Sequence, residues 1–356
     1  MHGAQHSGIA MELASGALVR IAGGGIFGLA CAWRLARRGV AVRVHEARTI
    51  GAGSSGGHVG ALAPHVPENW NPKKALQLTS LLGAADFWAE VEDASGLPSG
   101  YGRTGRIQPV ADRAQLPRLQ DRIEASRERW PRDAWMSLTD APEGLVPDSP
   151  TGLWLHDGLT ARLNPRAALA ALAGAIRAKG GEVIEHDPAP QDHAPTIWAT
   201  GTEGLLHLND ALGRKIGQGV KGQSLLLRHA APGAAQVFAD GLHVVPHDDG
   251  TTAVGSTSEN SFEHDRPDDQ LDDILARAVA ICPALRDAPV IDRWAGLRPR
   301  ARSRAPVLAA WPDRPGHWIA NGGFKIGFGM APVIADLAAD AVIAGRADFP
   351  ETTALP

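Results

Sequence analysis

The sequence contains little cysteine and no long uninterrupted apolar run. Its 356 residues include only two thiols, Cys31 and Cys282. Their separation fits neither a metal site nor a disulfide framework, so we expect both side chains to be buried and reduced. No segment reaches the ~18–20 consecutive apolar residues that span a bilayer. The sequence therefore predicts no transmembrane segment.

A basic excess is also missing. The formal net charge is −4, which argues against the strongly positive surface that nucleic-acid-binding proteins use to neutralise phosphates. Residues 1–16 carry neither a positively charged start nor a sustained apolar segment, so they predict a loose leader rather than a signal peptide. Hydrophobic residues make up 44% of the chain, an ordinary share for a globular enzyme. We therefore expect a cytoplasmic enzyme that binds no nucleic acid.

Near its start the sequence contains a β-α-β pattern around three glycines. Residues 17–22 predict a buried strand, apolar residues recur at helical spacing up to Ala36, and residues 40–46 predict a second strand. Between the first strand and the helix lies a G-x-G-x-x-G turn, formed by Gly23, Gly25 and Gly28. In this spacing the glycines permit a tight turn, a close approach to a pyrophosphate and close helix–strand packing, respectively. Glu46 ends the second strand and is placed to accept hydrogen bonds from ribose hydroxyls. The pattern predicts a dinucleotide site.

A long loop of small residues follows Glu46. The segment "RTIGAGSSGGHVGALAP" covers residues 48–64. A nicotinamide dehydrogenase usually has no need of such a loop at this point. The loop suits a cofactor whose second half continues past the pyrophosphate, which favours FAD and leaves an enzyme that uses NAD(P) as the alternative.

Beyond this loop the pattern changes along the chain. Helical periodicity covers residues 73–93, 115–130 and a stretch from 163 onwards, whereas residues 219–258 predict strands with a hairpin turn at Asp249–Gly250. A last helix is predicted over 331–344, with Pro332 at its start. We therefore predict an α/β fold (α+β overall), in which a Rossmann-type FAD-binding domain is interleaved with a substrate domain built on a mostly antiparallel sheet. The predicted limits are 17–75, 150–218 and 300–346 for the FAD-binding domain, and 76–149 and 219–299 for the substrate domain.

Eight segments, in this order, resemble the D-amino-acid oxidase superfamily of FAD enzymes, and most closely its glycine oxidase and amino-acid dehydrogenase branch. The resemblance extends from about residue 19 to residue 344. The segments are "IAGGGIFGLACAWRLARRG", the strand end "EAR" at 46–48, "GAGSSGGHVGALAP", "IWATG", "VKGQSLLL", "HVVPHDDGTTAVGST", "WAGLRP" and "NGGFKIGFGMAP".

The resemblance implies an extended FAD, with its adenine half on the glycine turn and its ring between the two domains. The implied cofactor-binding residues are Gly23, Gly25, Ile26, Phe27, Gly28, Glu46, Ala47, Arg48, Ser54, Ser55, His58, Gly60, Ala61, Leu62, Ala199, Gly201, Gly323, Phe324, Lys325, Ile326 and Gly327. The position of His58 matches a histidine that carries covalent flavin in the dimethylglycine-dehydrogenase branch. It also matches an asparagine that only packs there in other members, so both interpretations stay open.

The resemblance also implies where a substrate binds. Arg298 in "WAGLRP" would hold a substrate carboxylate, because a guanidinium forms two parallel hydrogen bonds with that group. Lys325 is a further candidate that could face the substrate. Relatives often place a tyrosine where His243 stands here, and the only tyrosine of the chain is Tyr101, so a tyrosine-based clamp is largely excluded. No metal site is expected.

The implied function is oxidation of the C–N bond of a small amino acid, either glycine, an N-methyl amino acid or a D-amino acid. Hydride would pass to flavin N5, and the resulting imine would hydrolyse. The electron acceptor would be O2 or an electron carrier, and the chain could form a homo-oligomer. Two alternatives stay open, namely a 2-hydroxy-acid oxidoreductase on the same scaffold and a flavoprotein subunit that relays electrons without a small substrate.

Overall fold

The computed structural model describes residues 13–14, 16–190 and 192–356. The predicted leader, residues 1–16, lies almost wholly outside the described residues. Within the described ranges, eight α-helices form: α1 (Ile26–Arg37), α2 (Pro72–Leu82), α3 (Ala84–Ser95), α4 (Leu116–Arg129), α5 (Pro165–Ala178), α6 (Gly201–Leu212), α7 (Gln270–Ile281) and α8 (Gly327–Ala344).

The strands that the same ranges contain group into three sheets. They are β1 (Leu18–Ala22), β2 (Ala41–Glu46), β3 (Ala61–Leu62), β4 (Arg106–Pro109), β5 (Met136–Thr139), β6 (Trp154–Asp157), β7 (Ala161–Arg162), β8 (Glu182–Glu185), β9 (Thr196–Trp198), β10 (Gly217–Arg228), β11 (Gln236–Ala239), β12 (Leu242–Pro246), β13 (Thr251–Gly255), β14 (Val290–Ala301), β15 (Val307–Ala310) and β16 (His317–Asn321).

The first sheet has six strands in the order β15-β16-β9-β1-β2-β8. All neighbours are parallel except β15 and β16. Helix α1 is buried along almost its whole length, and it packs in one apolar cluster with residues of α5 and α8 against this sheet. Helix α6 contributes to a separate cluster with β15 and β16. Because parallel strands carry helices on their faces, this is the expected environment for a Rossmann-type unit.

The second sheet has eight strands in the order β14-β10-β13-β12-β11-β4-β6-β5. Its neighbours are antiparallel except β11 and β4. Helix α7 covers one part of it, since Leu271 and Ile274 lie in one buried cluster with Leu225 and Val244. The predicted hairpin between β12 and β13 is confirmed, with Gly250 at φ +82°. Strands β3 and β7 form a third, two-stranded sheet.

These sheets confirm the predicted fold class. The predicted domain limits stay a prediction, and two elements bear on them: β6 falls inside the 150–218 range but lies in the eight-stranded sheet, and β14 crosses the limit at 299/300. Both cysteines are free and buried. Burial, first of all, raises the pKa of Cys31 and of Cys282 to about 12.

Two helices differ from their predicted limits. The single helix predicted over 73–93 is divided into α2 and α3 at Gly83. Helix α8 begins at Gly327 rather than at 331, so Pro332 lies inside it. By length and composition α8 is the one described helix apolar enough to cross a membrane, but 56% of it is buried within the protein. Its buried residues pack against α1 in the main core, so we describe α8 as a core helix.

Candidate cofactor and substrate cleft

A cleft of about 570 Å³ opens where the carboxyl ends of β1, β2 and β9 face strand β14. One end of the cleft contains the turn after β1 and the last residues of β2, including Glu46. The other end contains Arg298 of β14 and the residues that precede α8. This position is typical of ligand sites in parallel sheets, which lie beyond the carboxyl ends of the strands.

The glycine turn leaves no room for larger residues. A Cβ atom on Gly28 would lie 1.9 Å from the carbonyl oxygen of Gly23. Gly23 itself has φ +109°, and a Cβ atom there would lie 2.5 Å from the carbonyl oxygen of Ala199. The turn therefore holds β1, α1 and β9 in close contact. It aims the N-terminus of α1 at the cleft, and this N-terminus has no acidic residue in its first turn.

Glu46 and Ser55 fix the edges of the glycine turn. One carboxylate oxygen of Glu46 accepts a hydrogen bond from Gly24 N at 2.7 Å, and the other accepts one from Arg48 N at 2.8 Å. The Ser55 hydroxyl accepts a hydrogen bond from Ile26 N at 3.1 Å, at the start of α1. Each carboxylate oxygen of Glu46 has a second lone pair available, so Glu46 can still face a ribose.

Most of the predicted cofactor-binding residues line this one cleft. Those that do are Gly23, Gly25, Ile26, Phe27, Glu46, Ala47, Arg48, Ser54, Ser55, Ala61, Ala199, Gly201, Gly323, Phe324, Lys325 and Gly327. Gly28, His58, Gly60, Leu62 and Ile326 do not line it. Gly28 and Gly60 instead make close backbone contacts, since a Cβ atom on Gly60 would lie 1.9 Å from the carbonyl oxygen of Leu163.

Both ring nitrogens of His58 have protein partners. Its Nε2 atom lies 3.1 Å from Asp292 Oδ2 and 3.2 Å from a guanidinium nitrogen of Arg166, and its Nδ1 atom lies 3.2 Å from the Ser224 hydroxyl. The side chain is 2% exposed. Burial, first of all, lowers the pKa of His58. This arrangement favours packing over a covalent flavin link, and the role of His58 stays a prediction.

Arg298 reaches into the other end of the cleft from β14. Its Nη1 atom donates a hydrogen bond to the carbonyl oxygen of Thr257 at 3.0 Å. Its guanidinium lies over Gly222 of β10, where a Cβ atom would be 1.8 Å from Nη1. Burial lowers the pKa of Arg298 to about 10, while the charge of Glu259 acts in the opposite direction. Among the described residues no carboxylate forms an ion pair with Arg298.

Lys325 is a second cation at this end. Burial and then the charge of Arg298 lower the pKa of Lys325. The two positive charges are therefore close enough to repel each other. Lys325 Nζ and the Arg300 guanidinium each lie 5.7 Å from the centre of the Phe324 ring. Phe324 has φ +45°, a conformation that is uncommon for a bulky residue and that concentrates at ligand sites. Its N–H group donates to the carbonyl oxygen of Pro299 at 3.0 Å.

His243 lies behind this end of the cleft rather than in its wall. Its Nδ1 atom lies 3.1 Å from Gln236 Oε1, which makes Nδ1 the donor and leaves Nε2 as an acceptor. Burial, followed by the charges of Arg106, Lys325 and Arg298, lowers the pKa of His243 to about 3. The imidazole is therefore neutral at physiological pH.

The cleft also contains residues that the sequence did not single out. Trp198 and Thr200 flank Ala199 at the end of β9 and line the cleft, whereas Gly222 and Thr257 contact the Arg298 guanidinium without lining the cleft themselves. The "IWATG" segment was a usable signal for the first pair, because a strand parallel to β1 must end at the same edge of the sheet. The second pair comes together only through the pairing of β10 with β13 and β14, which no local pattern encodes.

These features fit an extended dinucleotide. A helix N-terminus with no acidic residue in its first turn would meet the phosphates, the closely packed glycine turn would admit the backbone approach, and the Glu46 carboxylate would close the ribose end. The cleft then continues past Ser55 and Ala61 to Arg298 and Lys325. That continuation gives space for a second, ring-bearing half such as the flavin of FAD.

A family model described as FAD dependent oxidoreductase matches residues 19–341 of the chain. The bifunctional protein ThiO/ThiG of Nostoc sp. is 26% identical over 92% of the chain, but the chain spans only about half of that relative, 53% of its length. The glycine oxidase of Pseudomonas putida is 27% identical, over 90% of the chain and 93% of its own length.

Solved structures with the same fold include two oxidases. The glycine oxidase of Geobacillus kaustophilus superposes with a TM-score of 0.81 at 22% identity, over 95% of this chain and 98% of that one. The iminodiacetate oxidase of Chelativorans sp. also gives a TM-score of 0.81, at 24% identity and with the same coverage. At these identities the similarity establishes the fold alone.

Proposed function

Because the chain belongs to the FAD-dependent oxidoreductase family whose model matches residues 19–341, it is an FAD enzyme, and we propose that it oxidises the C–N bond of a small amino acid. The substrate would be glycine, an N-methyl amino acid or a D-amino acid. Relatives named glycine oxidase, at 26–27% identity, support this substrate class. The electron acceptor, O2 or an electron carrier, and the cytoplasmic location stay predictions.

The observation that carries the proposal is the state of Arg298. Arg298 is partly buried, and withdrawing a guanidinium from water is costly unless an anion compensates it, yet among the described residues Arg298 forms no ion pair. It lines the cleft, and its Nη1 hydrogen bond to the Thr257 carbonyl leaves other N–H groups for a ligand. A substrate carboxylate would supply the missing charge through two parallel hydrogen bonds. Two bonds to one carboxylate also fix the orientation of the α-carbon.

Lys325 and His243 adjust the charge around that carboxylate. Lys325 would add a second cation, which strengthens the binding of an anion. The combined positive field of Arg298 and Lys325 disfavours an ammonium group on the bound substrate and so favours the neutral amine. His243 stays neutral, and therefore adds no third charge to this end of the cleft.

Bound FAD supplies the two-electron acceptor that the reaction needs. The chain contributes position and electrostatics: Arg298 holds the α-carbon and its hydrogen in one orientation, and the neutral amine provides the lone pair that forms the C=N bond as hydride leaves the α-carbon. Water then adds to the imine and releases the amine nitrogen. No protein side chain needs to form a covalent bond in this sequence.

The visible spectrum of the purified protein, recorded without oxygen, tests the proposal. We expect a yellow protein whose flavin absorption bleaches when glycine, sarcosine or D-amino acids are added, each in a separate sample. Admission of air afterwards distinguishes an oxidase, which recovers its colour within the turnover time, from a dehydrogenase, which stays bleached until an electron carrier is supplied.

Other outcomes point to the alternatives. Bleaching by 2-hydroxy acids but not by amino acids would replace the proposed substrate class. A yellow protein that no small substrate bleaches would favour the electron-relay subunit. A colourless protein that binds NAD(P) would contradict the assignment of the cofactor itself.

A further inference from the structure

The Arg298 guanidinium is held by a backbone carbonyl rather than by an acidic side chain. Its Nη1 atom donates to the carbonyl oxygen of Thr257 at 3.0 Å. Thr257 follows strand β13 and lies beside β10. The position of the guanidinium therefore depends on whatever fixes the backbone at Thr257.

Thr257 is fixed by its own hydroxyl group. This hydroxyl accepts a hydrogen bond from Gln223 N at 2.9 Å and donates one to Glu259 Oε1 at 2.5 Å. Two residues further on, the backbones of Glu259 and Lys221 pair in both directions, with N–O distances of 2.9 and 3.0 Å. The segment 257–259 thus extends the sheet along β10, with one side-chain hydroxyl joining the strand to the Glu259 carboxylate.

Glu259 is in turn the centre of a polar cluster. Its carboxylate accepts hydrogen bonds from Gln223 Nε2 and Gln270 Nε2, both at 3.0 Å, and lies 3.6 Å from Lys221 Nζ. Lys221 is 1% exposed, and its ammonium group also pairs with Asp268 at 2.5 Å. Gln223 is fully buried and donates to Asp268 Oδ1 at 2.8 Å. A buried ammonium with two carboxylate partners is satisfied, so the cluster is a rigid support and not a ligand site.

This cluster lies on the opposite face of the sheet from Arg298. Lys221 and Gln223 alternate along β10 with Gly222, over which the guanidinium lies. Side chains of successive strand residues point to opposite faces. The cluster consequently acts on Arg298 through the backbone of residues 257–259, and through the charge of Glu259, which acts to raise the pKa of Arg298.

We propose that Thr257 and Glu259, supported by Lys221 and Gln223, are positioning residues that set the orientation of Arg298 for carboxylate binding. The inference rests on the proposed role of Arg298. It extends that role from one side chain in the cleft to a partly buried set of hydrogen bonds that the substrate never touches. Its consequence is that substitutions in this cluster, on the face of the sheet opposite Arg298, alter the affinity for a carboxylate without altering FAD binding.

The experiment compares Thr257→Val with Thr257→Ser in the FAD-loaded protein. Valine keeps the shape of threonine but removes the hydroxyl, whereas serine keeps the hydroxyl and therefore serves as the conservative rescue. Acetate is titrated against the flavin absorption spectrum, and crystal structures of both holoenzymes report the Arg298 Nη1 to Thr257 O distance. Glu259→Gln is compared with Asp272→Asn, because Asp272 is a solvent-exposed carboxylate on α7 that pairs with Arg293.

For Thr257→Val and Glu259→Gln we expect acetate to bind about tenfold more weakly, the size of effect that one or two lost hydrogen bonds produce. The Arg298 guanidinium should leave the Thr257 carbonyl, while FAD content stays that of the native protein. Thr257→Ser and Asp272→Asn should bind acetate as the native protein does.

Unchanged acetate affinity and an unmoved guanidinium in Thr257→Val, even with a lower melting temperature, would overturn the inference. If the native protein itself binds no acetate, the proposed carboxylate role of Arg298 fails, and the crystal structures still decide whether the cluster positions the guanidinium.

Discussion

Arg298 combines two properties that are seldom found together in one side chain. It is a partly buried cation without an ion-pair partner among the described residues, and it lines a cleft that is large enough for a ligand. Gly222 supplies the space for its guanidinium, because any side chain there would collide with Nη1. The combination indicates that the remaining N–H groups of Arg298 serve to bind a ligand rather than to stabilise the fold.

Replacement of Arg298 by methionine removes the charge and the hydrogen bonds but keeps an unbranched side chain. We expect the KM for the amino-acid substrate to rise by at least roughly 100-fold, because two charge-assisted hydrogen bonds are lost and each costs about 1.5–3 kcal/mol. Steady-state kinetics, together with the flavin content, measure this effect. Arg293→Met on the same strand is the matched control, since Arg293 pairs with Asp272 at the surface. An unchanged KM in Arg298→Met would contradict carboxylate binding at this end of the cleft.

The two cations also predict a dependence of binding on pH. The pKa of Lys325 is lowered from its ordinary value of 10.5, and that of Arg298 is lowered to about 10. Anion binding needs their protonated forms, so the affinity for acetate should fall as the pH rises towards 10. Acetate titrations of the flavin spectrum at several pH values measure the fall. Lys325→Arg should move it to higher pH, and an affinity that stays constant up to pH 10 in the native protein would mean that neither cation loses its proton in this range, which contradicts the lowered pKa values.

The sequence alone could identify Arg298 but not its surroundings. The segment "WAGLRP" places an arginine on a strand, and the resemblance to a known family supplies its expected role. Thr257, by contrast, lies 41 residues away along the chain. Contacts of that length arise from the pairing of β10 with its neighbours, and an isolated threonine between strands carries no pattern that would reveal them.

Among the secondary-structure elements, the unit of β1, α1 and β2 was the most predictable. Its strand and helix periodicities, its glycine spacing and its terminal acid all agree, so the predicted limits lie close to those observed. Strands β3 and β7 have two residues each, which is too short for any periodicity. The sequence predicts a late start for helix α8, because Gly327 and Gly329 have low helix propensity. In the structure, tertiary packing against α1 overrides this low propensity.

The closeness of β1 and α1 predicts the effect of Gly28→Ala. The new Cβ atom would lie 1.9 Å from the carbonyl oxygen of Gly23, so the turn must open and withdraw its N–H groups from the phosphates. We expect the purified variant to retain less than about one tenth of the native FAD. The ratio of flavin to protein absorbance measures this directly.

Gly83→Ala provides the control for this change. Gly83 lies between α2 and α3, where the nearest atom to a new Cβ is the Thr79 carbonyl oxygen at an ordinary 3.6 Å. The control should keep the full FAD content. If Gly28→Ala kept it as well, the turn would not approach the cofactor as proposed.

In the whole molecule, two sheets of different character meet at one cleft. The change from helical to strand periodicity along the chain was sufficient to predict this fold class. The order of the strands was not predictable, since β6 joins the eight-stranded sheet from within a segment assigned to the other domain. Alternation and periodicity specify what a strand buries, whereas its neighbours depend on contacts between distant segments.

Histidines whose pKa values are lowered by burial make the stability of the whole fold sensitive to acid, and His58, His243 and His247 are among them. Burial, first of all, lowers the pKa of His243 to about 3 and that of His247 to about 4, and also lowers that of His58. Below pH 6.5 the unfolded chain therefore binds protons that the folded chain does not. The free energy of unfolding should fall as the pH drops from about 6.5 to about 5, by up to ~1.4 kcal/mol per pH unit for each such histidine.

Urea denaturation at a series of pH values measures this slope. His243→Gln removes one of these groups, so its unfolding free energy should depend less steeply on pH over this interval than that of the native protein. His193→Gln is the control, because His193 is exposed at the surface and its replacement should leave the slope unchanged. Equal slopes in the native protein and in His243→Gln would mean that His243 takes up its proton in the folded state. The prediction that its imidazole stays neutral behind the cleft would then be wrong.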